Sequence, residues 1–112
     1  MTVEFDEKDA IQEYLECAKK AFIKKIQEIS TKNSYSEPDE EIMFYSDQLV
    51  KVERIRKLFD TCEETVTLTD EETNIFADEF EFGIFDVIRS FEDVDNINWL
   101  VAVIDVYKRA TA

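Results

Sequence analysis

Ile11, Leu15, Ala18, Phe22, Ile26 and Ile29 follow one another at steps of three and four, the spacing that lines side chains along one face of an α-helix. A first helix is therefore predicted from about Asp6 to Ile29. A second stripe, Ile42, Tyr45, Leu49, Val52 and Phe59, widened by Ile55 and Leu58, predicts a helix from near Pro38 to Asp60. Ser36 is its expected N-cap, since proline is tolerated in the first turn. Between the two stripes, STKNSYSEPDE at 30–40 gathers polar turn formers around the single proline and reads as a linker. Two such seams suit the facing surfaces of an antiparallel bundle.

Thr69 and Glu72 have the T-x-x-E spacing of a capping box, in which each side chain satisfies the other residue's otherwise orphaned backbone N–H. A third helix is predicted from there to about Phe91. At about 100° per residue, Phe76, Phe80, Ile84, Val87, Ile88 and Phe91 fall within one third of its circumference, the width of a core-facing stripe. The preceding DTCEETVTL, 60–68, alternates too briefly for an independent sheet and reads as a loop with an extended stretch near 64–68. The last segment, NINWLVAVIDVYKRA, predicts a helix over 97–107, with Asp95 as N-cap and Lys108 and Arg109 at its negative end. A strand is the alternative, because Val101, Val103 and Val106 favour one, but no partner strand is evident. One glycine, Gly83, and one proline leave little turn chemistry for hairpins or barrels. The expected fold is all-α, a compact bundle of three or four helices forming a single domain over 1–112.

Composition supports a folded chain: 45 % of the 112 residues are apolar, including nine Phe, four Tyr and one Trp. Charge changes the picture more. The net charge of −14 is unevenly spread: residues 1–59 hold thirteen acidic and ten basic side chains, whereas 60–107 hold fourteen acidic side chains and only Arg89. Such a field repels nucleic acid and anionic lipid, so direct binding to either is not expected. The longest apolar run, Trp99 to Ile104, is far shorter than the ~20 residues of a membrane span, and MTVEFDEKD shows neither a basic nor an apolar leader. Cys17 and Cys62 read as reduced thiols, which suggests a cytoplasmic location.

ADEFEFGIFDVIRSFED, 77–93, places acids and phenylalanines side by side. Glu71, Glu72, Asp78, Glu79, Glu81, Asp86, Glu92 and Asp93 occupy the arc opposite the apolar stripe, and Ile75, Phe82 and Phe85 lie among them. Two accounts compete. A helix central in the bundle would bury a second stripe under the C-terminal segment. Alternatively, Phe82 and Phe85 are exposed anchors inside an acidic patch, ready to enter a pocket on a basic partner. As one straight helix, 69–93 would be about 36 Å long with one charge per 4 Å, close to the roughly 3.4 Å phosphate spacing of one nucleic-acid strand. Asp60, Glu63, Glu64, Asp95 and Asp105 could supply a second row. So could a second subunit, which puts a homodimer among the expected partners.

With no histidine, His-based acid–base chemistry, His-containing triads and His-ligated zinc are excluded. Cys17 is expected to be a buried structural thiol, and Cys62, beside Glu63 and Glu64, is poorly placed for a nucleophile. DVDNIN, 93–98, begins like a calcium loop but has Asn98 where the loop needs glycine and Ile104 where it needs glutamate. No catalytic, cofactor or metal residue is assigned. Glu13 with Glu16, and Asp78 with Glu81, have three-residue carboxylate spacing on predicted helices. In these two short patches the chain resembles the all-α nucleoside triphosphate pyrophosphatases, a resemblance that implies Mg²⁺-dependent hydrolysis. The leading expectation is instead a non-enzymatic acidic inhibitor of a basic, nucleic-acid-handling protein. It would be of the phage or mobile-element anti-defence type, a candidate nucleic-acid mimic, with Glu71, Glu72, Asp78, Glu79, Glu81, Phe82, Phe85, Asp86, Glu92 and Asp93 as its expected partner-binding residues. An immunity protein that neutralises a toxin is the second reading, and the pyrophosphatase-like enzyme the third.

Overall fold

Four helices and one small sheet make up the described residues of the computed structural model, which are 1–32, 40–80 and 97–112. The helices are α1 (Phe5–Lys32), α2 (Glu40–Leu58), α3 (Asp70–Glu79) and α4 (Ile97–Thr111). The fold is the all-α bundle that the periodicities predict. Ser36, Pro38 and Asp95 lie outside the described residues.

α1 is the central element and packs against both α2 and α4. Its predicted seam is buried at Ile11, Leu15, Ala18 and Phe22, and Ala10, Tyr14 and Ala21 widen it into a second buried stripe. α2 and the residue after it supply Val52, Ile55 and Phe59, α3 and its C-cap Phe76 and Phe80, and α4 Val103 and Val106, all at most 1 % exposed. The aromatic rings form a connected chain. Phe76 stacks on Phe80 at 4.9 Å between centroids, Phe59 meets Phe76 at 5.7 Å, and Phe80 approaches Tyr14 at 5.0 Å and Tyr107 at 5.7 Å. Burial raises the Tyr14 phenol far above its ordinary pKa, so it stays neutral and contributes as a ring.

The extended stretch near 64–68 finds a partner that the sequence does not advertise. Strand β1 (Thr2–Val3) pairs antiparallel with β2 (Val66–Thr67), Thr2 opposite Thr67 and Val3 opposite Val66. Met1 extends the ladder, its ammonium donating to the Leu68 carbonyl at 3.0 Å while the Leu68 N–H donates to the Met1 carbonyl at 2.8 Å. Lys8 is a second unforeseen tie. Only 8 % exposed, its Nζ donates to the carbonyls of Thr61 at 2.6 Å and Glu63 at 2.8 Å, fastening the 59–65 loop to α1.

The third helix is shorter than predicted. The capping box forms as expected: Thr69 Oγ1 accepts from the Glu72 N–H at 3.1 Å, and Glu72 Oε1 accepts from the Thr69 N–H at 3.0 Å. The helix then ends at Glu79, not Phe91, with Phe80 leaving helical backbone at ψ 57°. Two causes act together. Asp78 and Glu79 sit at the negative end of the helix dipole, and the last turn holds no basic residue to offset them. The Phe80 ring is also committed to Tyr14 and Tyr107, and tertiary packing outweighs propensity. Thr69→Ala should cost about 1 kcal/mol, the usual worth of an N-cap, measured by chemical denaturation.

Candidate protein-binding surface

Because α3 ends at Glu79, the acidic row is not one straight 36 Å rod; ten residues at 1.5 Å rise give α3 a length of about 15 Å. Glu81, Phe82, Phe85, Asp86, Glu92 and Asp93 lie outside the described residues. The structure therefore places four of the predicted partner-binding residues: Glu71, Glu72, Asp78 and Glu79.

These four have different duties. Glu72 is held in the capping box and serves the helix itself. Glu79 accepts from Arg54 of α2 at 2.7 Å, so its charge is partly met within the chain. Glu71 and Asp78 are exposed and have no ion-pair partner among the described residues. Of the three apolar residues predicted among the acids, Ile75 is exposed at 38 %. It shares the α3 side of Glu79, one turn before it.

Among the described residues, ion pairs lie mainly between α1 and α2. Lys19 and Arg56 meet Glu53 at 3.7 Å each, and Arg56 also meets Glu16 at 3.7 Å, bridging α1 and α2. With Gln12, Leu15, Val52 and Asp60 they line a cleft of about 250 Å³. Arg109 of α4 pairs with Glu7 of α1 and with Asp105 at 3.6 Å. Asp105 is thus removed from the expected second acidic row, and Asp95 lies outside the described residues. Asp60, Glu63 and Glu64 remain, exposed in the loop that Lys8 ties down and without an ion pair among the described residues. With Asp70, Glu71 and Asp78 they form the uncompensated charge of the described second half.

The catalytic alternatives acquire geometry here. Glu13 and Glu16 are both exposed on α1, Glu16 facing Arg56, while Asp78 stands on α3. Among the described residues no three Asp, Glu, Cys or His side chains gather so as to hold a metal ion. Cys17 is exposed, not buried as expected. It lies one position off the Leu15–Ala18 seam, which turns it about 100° away from the core. Partial burial, with Glu13 and Glu16 nearby and Lys20 opposing them, raises its pKa, which keeps it a thiol at neutral pH. Cys62 is also exposed, and neither cysteine is in a disulfide.

The sequence reading missed Met43 and Phe44, which together with Val50 stand exposed on α2. The signal was present: all three are apolar yet lie off the Ile42–Tyr45–Leu49–Val52 seam. Among the described residues no helix is long and apolar enough to cross a membrane. Compared with protein-family models, curated proteins and solved structures, the chain matches none.

Proposed function

We propose that this chain is a cytoplasmic, non-enzymatic binding module whose acidic second half blocks a basic, nucleic-acid-handling protein. Inhibitors of this type are encoded by phages and mobile elements against defence enzymes. One observation carries the reading: Asp60, Glu63, Glu64, Asp70, Glu71 and Asp78 are exposed and in no ion pair among the described residues, while Lys19, Lys25, Arg54, Arg56 and Arg109 meet carboxylates. Exposed acids without a cation beside them destabilise a fold by self-repulsion, and a cationic partner would relieve that repulsion. The shortened α3 removes the argument from an unbroken charge spacing. Nucleic-acid mimicry is therefore a property to be measured through competition.

The test is capture from a nuclease-treated lysate on the immobilised chain, with a Glu71→Lys/Asp78→Lys chain as control. Nucleic-acid-binding proteins retained by the first and lost from the second are expected. Retention that ignores charge reversal would contradict the reading. An immunity protein, the second reading, would hold a single cognate toxin whether or not nucleic acid competes.

A further inference from the structure

The two edges of the small sheet differ. Met1 and Leu68 exchange both backbone bonds, so in an antiparallel ladder the next pair, Thr2 and Thr67, turns its N–H and C=O groups away from the opposite strand. On the β1 side that outward edge is met by α4, whose Arg109 guanidinium reaches the Thr2 carbonyl at 3.5 Å. On the β2 side no third strand pairs among the described residues, and Thr67 is exposed. Val66 and Leu68 bury their side chains before and after it, which fixes the Thr67 backbone in extended form. An open edge of this kind is a template for a further strand.

This edge runs between acids. Glu63 and Glu64 precede it and Asp70 and Glu71 follow it, all exposed and in no ion pair among the described residues. No lysine or arginine occurs from 60 to 79. Lys8 enters the 59–65 loop from α1, but it is 8 % exposed and its ammonium is bonded to the carbonyls of Thr61 and Glu63. Arg109 serves the opposite edge, where it also holds Glu7 and Asp105, and Arg54 meets Glu79 at the far end of α3.

We propose that the open edge of β2 takes an extended basic segment of the partner protein. The Thr67 N–H donates to one residue of the added strand and the Thr67 C=O accepts from the same residue, while lysines or arginines on either side meet Glu63, Glu64, Asp70 and Glu71. Backbone pairing demands a strand and the acids demand cations, so together they select one kind of occupant. A second copy of this chain is disfavoured: pairing β2 with β2, in either direction, sets the flanking acids of one copy beside those of the other. A nucleic acid offers no backbone amide and is repelled. The inference rests on the reading that the chain binds a basic protein and names the form of the segment bound, and it fails separately.

The probe is a synthetic peptide of about ten residues that alternates lysine and threonine, titrated into the isotope-labelled full chain at physiological salt. Two controls accompany it. One has the amides of its central residues N-methylated, which keeps the charge and removes the strand donors; the other has glutamate in place of lysine. The Thr67 amide should shift downfield and exchange more slowly with solvent, and the lysine peptide should bind at least roughly tenfold more tightly than either control. Thr67→Pro removes the outward donor at a position where an edge strand tolerates proline, and should weaken binding by at least roughly tenfold with circular dichroism unchanged. Should that variant unfold, the N-methylated peptide decides on the native chain. Equal binding of either control, or shifts centred on α1 or α2, would overturn the proposal. So would a free chain that sediments as a dimer dissociated by Thr67→Pro, since the edge would then belong to a second copy. If the captured partner is lost on charge reversal at Glu71 and Asp78 but retained by Thr67→Pro, the edge proposal falls and the acidic-face reading stands.

Discussion

Phe80→Ala should lower the unfolding free energy by roughly 3–5 kcal/mol, the cost of deleting a fully buried phenylalanine and leaving its cavity. The ring is 0 % exposed and joins three elements, touching Tyr14 of α1, Phe76 of α3 and Tyr107 of α4. No one neighbour can fill the space it leaves. For a domain of about 100 residues each kcal/mol lowers Tm by roughly 4–8 °C, so a fall of more than about 12 °C is expected. Ile75→Ala, on a residue 38 % exposed in the helix that Phe80 caps, should cost no more than about 1 kcal/mol. Equal losses at the two positions would mean that the aromatic chain is not the core.

Reversal of Glu71 and Asp78 to lysine should slow association with the captured partner by roughly 10- to 100-fold at low salt, and flatten the salt dependence of the rate. The expectation rests on position as well as charge. Glu79 was an obvious target in the sequence, but it is bonded to Arg54, and reversing it would set two cations together and disturb the α2–α3 contact. Glu71 and Asp78 are exposed and pair with no cation among the described residues, so changing them alters the field, while a lysine at 71 weakens and a lysine at 78 strengthens the match to the α3 dipole and the two effects oppose each other. Screening limits that field to about 8 Å at physiological salt, so native and reversed chains should converge as salt rises. Circular dichroism of the double variant should match that of the native chain. An unchanged association rate would remove the acidic face from the encounter.

Helix positions were legible because local spacing and burial agree along Ile11–Leu15–Ala18–Phe22 and Val52–Ile55–Phe59. The start of α3 was equally legible, since a capping box is a purely local bond pattern. Its end was not. The three–four spacing runs on past Glu79, and what stops the helix is a charge clash with its dipole and the distant contacts of Phe80, not a proline or glycine at that point. The β1–β2 pair was hidden for a related reason: two residues at one end of the chain meet two more than sixty positions away, and no local signal encodes that pairing. Lys8 could have been found. It lies three and seven residues before Ile11 and Leu15, on the buried stripe, where an ammonium must find oxygen partners. In the acidic arc the capping-box spacing already marks Glu72 as structural, but only the ion pair with Arg54 separates Glu79 from Glu71 and Asp78.

Acids that occupy a basic surface otherwise holding nucleic acid, as proposed, must compete with that nucleic acid. The most direct test is an equilibrium competition in which the captured partner, bound to the labelled chain, is titrated with duplex DNA and with structured RNA. Displacement by one of them is predicted, with a midpoint that shifts in proportion to chain concentration. Simultaneous binding of chain and nucleic acid, with neither affinity altered, would contradict it.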